Sequence, residues 1–172
     1  FINADIFAQA YASYLVGLAD VALPDNHYDA PLYGFLMKSL DLIEEKIDMV
    51  VVTFIFELQV MSRFGAQLDF GQCVFCHRKD LPMDFSYKFN GCLCRNHFDE
   101  DMKRSHVDPN VIFLCQSFMA MDLEKLPSIN LSDDLKKKIR VFIDALYDHY
   151  IGVQIKAKKF IDGLDGWADI MK

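Results

Sequence analysis

The sequence is poor in the residues that break or stiffen a chain, with five prolines and eight glycines in 172 residues. It has no internal repeat and no low-complexity stretch, which excludes solenoids, collagen-like chains and linker-dominated proteins. Long apolar runs are missing too. The most apolar segment, Met49 to Phe56, is interrupted by Thr53 and ended by Glu57, far short of the roughly 20 residues that span a bilayer. The start, at Phe1 rather than Met, carries no basic, apolar and small-residue leader. Basic residues are scarce: 18 Lys and Arg face 25 Asp and Glu, for a net charge of −7. That balance argues against a broad phosphate-binding surface. There is no nucleophile elbow, no P-loop, no GxGxxG and no H-x-E ahead of the cysteines of the kind zinc deaminases need. Enzyme readings are therefore weak, and the expectation is a non-catalytic protein.

What is present is core-forming material. Hydrophobic residues make up 52% and aromatics 13%, enough for a folded globule of one domain with at most a small appendage. The charge is uneven. From Leu131 onward 8 bases meet 7 acids, a net of +1, and the 10 bases and 18 acids of residues 1–130 leave that part at −8. An anionic partner should favour the C-terminal stretch.

Helical periodicity dominates. A helix is expected from about Asn3 to Val21, with Asn3 or Asp5 as cap and Ile6, Phe7, Ala10, Tyr14 and Leu18 inward. A second should run from Pro31 to Lys46, with Pro31 in its first turn. Asp48 to Arg63 is apolar almost all round. Its valines suggest a strand, but its length favours a buried central helix, closed by Gly65. Asp108-Pro109 and Ser132 are start signals for two later helices, and a last helical piece holds Ile155, Phe160, Ile161 and Leu164. Cys115 falls on an apolar helical face and reads as core.

The pattern breaks between about Phe70 and Phe98. Phe85, Tyr87 and Phe89 alternate with Ser86 and Lys88 as in a strand, and Asn90-Gly91 is a strong two-residue turn signal. This predicted hairpin lies between Cys73-x-x-Cys76 and Cys94-x-x-His97. Two ligands two residues apart wrap a knuckle around an ion, and two knuckles joined by a hairpin supply the four soft or borderline ligands of a closed structural zinc site. Cys92 competes with Cys94, although a Cys92/Cys94 pair would leave His97 out. His77 is poorly placed to reach the same ion. Five cysteines, four of them in this short stretch, suit a reduced cytoplasmic protein better than a disulfide scaffold. Chance clustering of thiols is the bland alternative.

Two basic clusters remain. Lys136, Lys137, Lys138 and Arg140 lie on the helix capped by Ser132, where Lys136, Arg140, Asp144 and Asp148 are spaced four apart, the pattern of a solvated face with local ion pairs. Lys156, Lys158 and Lys159 with Phe160 have fewer acids nearby in the sequence and form the candidate partner-binding site, since cations around an aromatic can hold an acidic peptide tail or a phosphate backbone. The aromatics Phe85, Tyr87 and Phe89 fit packing under the hairpin better than base stacking.

The run from Phe56 to Gly65, then Leu68 and Cys73-Val-Phe-Cys76, resembles the middle of the bacterial RecO recombination mediators. Phe85-Ser86, the segment Gly91 to His97, Ile155 to Ile161 and Tyr11 to Leu15 fit the same family. The resemblance implies a mainly α-helical domain with an inserted zinc β-hairpin: residues 1–69 and 101–172 as the two helical parts, 70–100 as the zinc knuckle. It also implies an OB-fold preceding Phe1, and DNA repair and recombination in the RecF pathway. The family binds single- and double-stranded DNA, largely through that barrel, anneals strands, partners RecR and contacts the acidic tail of single-stranded-DNA-binding protein so that RecA can load. A cytoplasmic, nucleoid-associated location follows, with no membrane partner. From other classes, a zinc-ribbon regulator or RNA-processing accessory module is the runner-up, and a metalloenzyme is a weaker third.

Overall fold

The computed structural model describes residues 6–25 and 27–170, with side chains through residue 163. Among the described residues, six α-helices and one two-stranded sheet follow in the order α1 (Ile6–Ala22), α2 (Ala30–Glu44), α3 (Met49–Val60), β1 (Met83–Ser86), β2 (Gly91–Cys94), α4 (Pro109–Met119), α5 (Asp133–Tyr150) and α6 (Lys156–Ile170). Short 3-10 turns follow α3 and β2 and precede α5. The mainly α architecture with a small β-hairpin is as the sequence implied.

Helix α3 is the axis. It packs against α1, α2, α4 and α5, so every side of it is covered, which is why its sequence has no polar face. Phe54, Ile55, Phe56 and Leu58 are at most 1% exposed; burying each side chain of this size contributes roughly 1.5–3 kcal/mol. Asp48 caps the first turn by accepting from the N–H groups of Val50 and Val51. The chain leaves α3 through a 3-10 turn, Met61–Phe64, which ends at Gly65 with φ of 83°, a conformation only glycine adopts without strain.

Pro31 falls in the first turn of α2, and the start signals Asp108-Pro109 and Ser132 act as read. Asp29 accepts from Leu32 N ahead of Pro31 in α2, Asp108 from Asn110 N ahead of Pro109 in α4, and Ser132 from Leu135 N in α5. Helix α2 ends at Glu44, two residues before Lys46, with Leu32, Ser39, Leu42 and Ile43 buried. The expected caps Asn3 and Asp5 lie outside the described residues, as does the side chain of Leu164. Among the described residues no helix is long and apolar enough to cross a membrane.

The hairpin departs from its sequence reading. Strand β1 ends at Ser86, and Tyr87 to Asn90 form a four-residue connection, so Tyr87 and Phe89 are turn residues and not strand residues. The register pairs Met83 with Cys94 and Ser86 with Gly91. Asn90 alone takes the left-handed conformation, with φ of 51°. Gly91 opens β2 and is needed there for space: a Cβ at 91 would lie 2.5 Å from Val74 Cγ1.

Candidate metal centre

Cys73 and Cys76 lie on a loop that folds over the start of β2. Val74 N donates to Cys92 O at 2.9 Å, and Cys73 forms an isolated parallel bridge with Cys92. His77 N closes the turn onto Cys73 O at 2.9 Å, with His77 itself at φ of 57°. Cys94 ends β2, and His97 follows in the 3-10 turn Arg95–Glu100. The sulfurs of Cys73, Cys76 and Cys94 and a ring nitrogen of His97 thereby come within 4.8 Å of one another. Cys76 and Cys94 Sγ are 3.7 Å apart, and His97 Nδ1 is 3.3 Å from Cys94 Sγ and 3.6 Å from Cys73 Sγ.

These separations fit a tetrahedral ion. With metal–sulfur bonds of about 2.3 Å and metal–nitrogen bonds of about 2.0 Å, the ligand–ligand edges of a tetrahedron are about 3.5–3.8 Å. The electrostatics fit as well. Burial opposes ionisation of Cys73, but the backbone N–H groups of Cys94, Cys76 and Phe75 point at its sulfur and hold its pKa down to about 6. Burial and the neighbouring sulfurs push Cys94 up, as expected when one thiolate forms first in a crowded cluster without a cation. All four donors come from the protein, so an ion held by them has no open position for a reacting water.

Cys92 lies outside this cluster. It is fully buried on the core side of β2, where burial raises its pKa well above the ordinary thiol range. Strand alternation does not separate the candidates, since Cys92 and Cys94 are two residues apart and share a face of β2; position does, because Cys94 ends the strand and the 3-10 turn that follows brings His97 to it. Cys115 is likewise core, pushed up to about 12 by burial alone. His77 is exposed.

The lobe is tied to the helices through its own buried acid. Asp84 in β1 is 3% exposed. Its Oδ1 accepts from Phe85 N and Val107 N, its Oδ2 accepts from His106 N, and Arg104 Nε sits 3.0 Å from Oδ2. Phe85, fully buried, packs edge-on against Phe142 of α5 and against Phe70. Sequence periodicity carried no signal for Asp84, because its partners come from a loop about 20 residues away.

One residue of the second basic cluster, Lys158, meets the first cluster across a groove that Lys156, Lys159 and Phe160 do not line. Its volume is about 550 Å³, and Lys136 and Arg140 of α5 and Lys158 of α6 share it with Tyr14, Phe54 and Val141. The stripe on α5 is not simply a solvated face. Arg140 reaches inward to Glu57, while Lys136 pairs with Asp48. Lys158 is not short of acids either: it pairs with Asp162 and, at 3.3 Å, with Asp144. Lys156 and Lys159 are exposed, and Phe160 is 49% exposed.

A family model described as the C-terminal part of recombination protein O matches residues 3–159. The DNA repair protein RecO of Lactococcus lactis subsp. cremoris strain MG1363 is 58% identical over 171 residues, which cover 99% of this chain and 68% of that protein. The proteins of the same name from Streptococcus thermophilus strain LMD-9 and Streptococcus mutans strain UA159 are 53% and 51% identical, again over 99% of the chain and 66% and 68% of their own length. No solved structure matches. The chain thus spans about two thirds of these relatives, and across that span it belongs to the RecO family of DNA repair proteins.

Proposed function

We propose that this chain is the helical interaction domain of a RecF-pathway recombination mediator. It serves a protein that anneals strands, partners RecR and helps load RecA onto single-stranded DNA covered by single-stranded-DNA-binding protein. The observation that carries this reading is the family match over residues 3–159. The domain is not catalytic. Its Cys73, Cys76, Cys94 and His97 hold zinc, which organises the hairpin and takes no part in a reaction, as a set of four protein donors supports. It works in the cytoplasm at the nucleoid.

The partner site is the start of α6 beside the groove, which Lys158 lines, and there Lys156, Lys158, Lys159 and Phe160 receive the acidic tail of single-stranded-DNA-binding protein. Carboxylates on lysines and an apolar residue against the helix surface would share the binding. Lys136 and Arg140 on the opposite wall extend the positive lining. DNA contact by the full-length protein rests mainly on an OB-fold outside this chain, in keeping with the net charge of −7.

Fluorescence titration of a labelled tail peptide tests the assignment. The native chain should bind, with affinity falling as salt screens the charge contribution, and the Lys156, Lys158, Lys159 triple Ala variant should bind at least tenfold more weakly. Equal affinity would remove this cluster from the site. No binding by the native chain would refute the tail as a partner of this domain.

A further inference from the structure

The loop that carries Cys73 and Cys76 ends in an exposed apolar tip. Val74 and Phe75 are 37% and 43% exposed, on a loop pinned by bonds from Val74 N to Cys92 O and from His77 N to Cys73 O. Phe75 is held from below. Its ring stacks on His97 at 5.3 Å between centroids and 21° between planes, and it meets the ring of Phe89 edge-on at 4.9 Å. Lys88 Nζ sits 4.7 Å from the centroid of Phe89. A half-exposed aromatic fixed by two rings, one of them belonging to a ligand of the metal centre, is rigid before anything binds to it.

The lobe is less acidic than the rest of the chain. Residues 70–100 hold four bases, Arg78, Lys79, Lys88 and Arg95, and four acids, Asp80, Asp84, Asp99 and Glu100, for a net of zero in a chain of −7. Asp84 is buried against Arg104 and does not face outward. A divalent ion with three thiolates subtracts one charge. Lys79, Lys88 and Arg95 are exposed.

We propose that the knuckle tip is a stacking platform for unpaired bases, with Phe75 as the stacking ring, Phe89 as its buttress, and Lys88 and Arg95 meeting the phosphates of a single strand. The inference rests on the reading that this chain works at DNA, and it assigns a strand contact to the helical domain itself. Exposed aromatics beside cations bind single strands with little regard to sequence, because every base presents a π-face, whereas the bases of a duplex are already stacked.

The test titrates fluorescein-labelled oligo(dT), and a duplex of equal length, with the metal-loaded 172-residue chain. Phe75→Ala should weaken single-strand binding about tenfold, the order expected for loss of one base stack, with metal content and duplex binding unchanged. Phe75→Trp should keep the affinity, and its added indole should be quenched when oligo(dT) binds. Lys88→Ala and Arg95→Ala should flatten the salt dependence, as Phe75→Ala should not. Unchanged oligo(dT) affinity in Phe75→Ala, or an indole that stays unquenched in the Phe75→Trp variant, would overturn the platform while leaving the repair reading intact. Absence of oligo(dT) binding by the native chain would overturn it too, and the tail-peptide titration would still judge the repair reading separately. Equal losses on single strand and duplex, or loss of a protein partner instead of DNA, would also refute base stacking.

Discussion

Glu57 and Arg140, 83 residues apart in the chain, join through two hydrogen bonds of 2.7 and 3.0 Å at the heart of the helical layer. Glu57 is fully buried on α3, and its remaining contacts are made by tyrosines. Tyr14 of α1 donates to Oε1 at 2.5 Å, and Tyr147 of α5 donates to the Glu57 backbone carbonyl at 2.8 Å. Burial, reinforced by the charge of Glu57, raises both phenols well above their ordinary range, so they stay donors at any working pH. One residue thus ties α1, α3 and α5 together.

Removing Arg140 would leave that carboxylate buried without its cation, a loss on the order of 3–5 kcal/mol. Arg140→Met should reduce unfolding free energy by that amount in urea titrations, and Tyr14→Phe by about 1.5–3 kcal/mol, since its acceptor is charged. The double variant Glu57→Leu, Arg140→Met should recover part of the loss, because no lone charge remains; Tyr14 then lacks its acceptor, which keeps recovery incomplete.

This pair shows what sequence could and could not reveal. Local features were legible: the caps Asp108 and Ser132, the left-handed glycine at 65 and the paired two-residue spacing of the metal cluster all act within a few residues. Arg140 read as one member of a solvated stripe, and its pair with Asp144 four residues on is present; its buried partner Glu57 lies on another helix, which four-residue spacing does not record. Asn90-Gly91 read as a two-residue turn because that dipeptide fits such turns. The glycine is instead required by the approach of Val74, a contact across 17 residues that turn chemistry cannot encode.

The crowding at Gly91 can be measured directly. Gly91→Ala should cost about 1–3 kcal/mol, since the β-branched Val74 has little freedom to withdraw, and should speed metal transfer to a colorimetric chelator. Gly34→Ala is the control. Nothing lies within 4 Å of a Cβ there, and alanine inside a helix should stabilise by about 0.5–1 kcal/mol.

Acid should loosen the start of α2. The Arg63 side chain, and after it the Leu32 N–H, hold the Asp29 carboxyl below its usual value. A carboxyl depressed in the folded state contributes stability that is complete above its unfolded pKa, about 4, and fades as pH falls below that toward the folded value. Melting temperature measured from about pH 6 to pH 2.5 should therefore fall more steeply for the native chain than for Asp29→Asn. Parallel curves would show that the carboxylate adds nothing to the fold.

Stripping the metal should disorder residues 70–100 and leave most of the helix. The helical core buries its own apolar faces around α3, while the hairpin has a two-stranded sheet, the packing of Phe85 and the Asp84 bonds to residues 104–107 to hold it. Far-UV circular dichroism before and after chelation should lose little helical signal, with a lower melting temperature as Phe85 loosens from Phe142. Collapse of the helical signal would mean that the ion organises the whole domain.

The most direct test of the metal centre is elemental analysis of chain purified without added metal. The native protein and Cys92→Ala should each carry one zinc per chain, whereas Cys94→Ala and His97→Ala should lose most of it. A native chain without metal, or full zinc in Cys94→Ala together with loss in Cys92→Ala, would contradict the site.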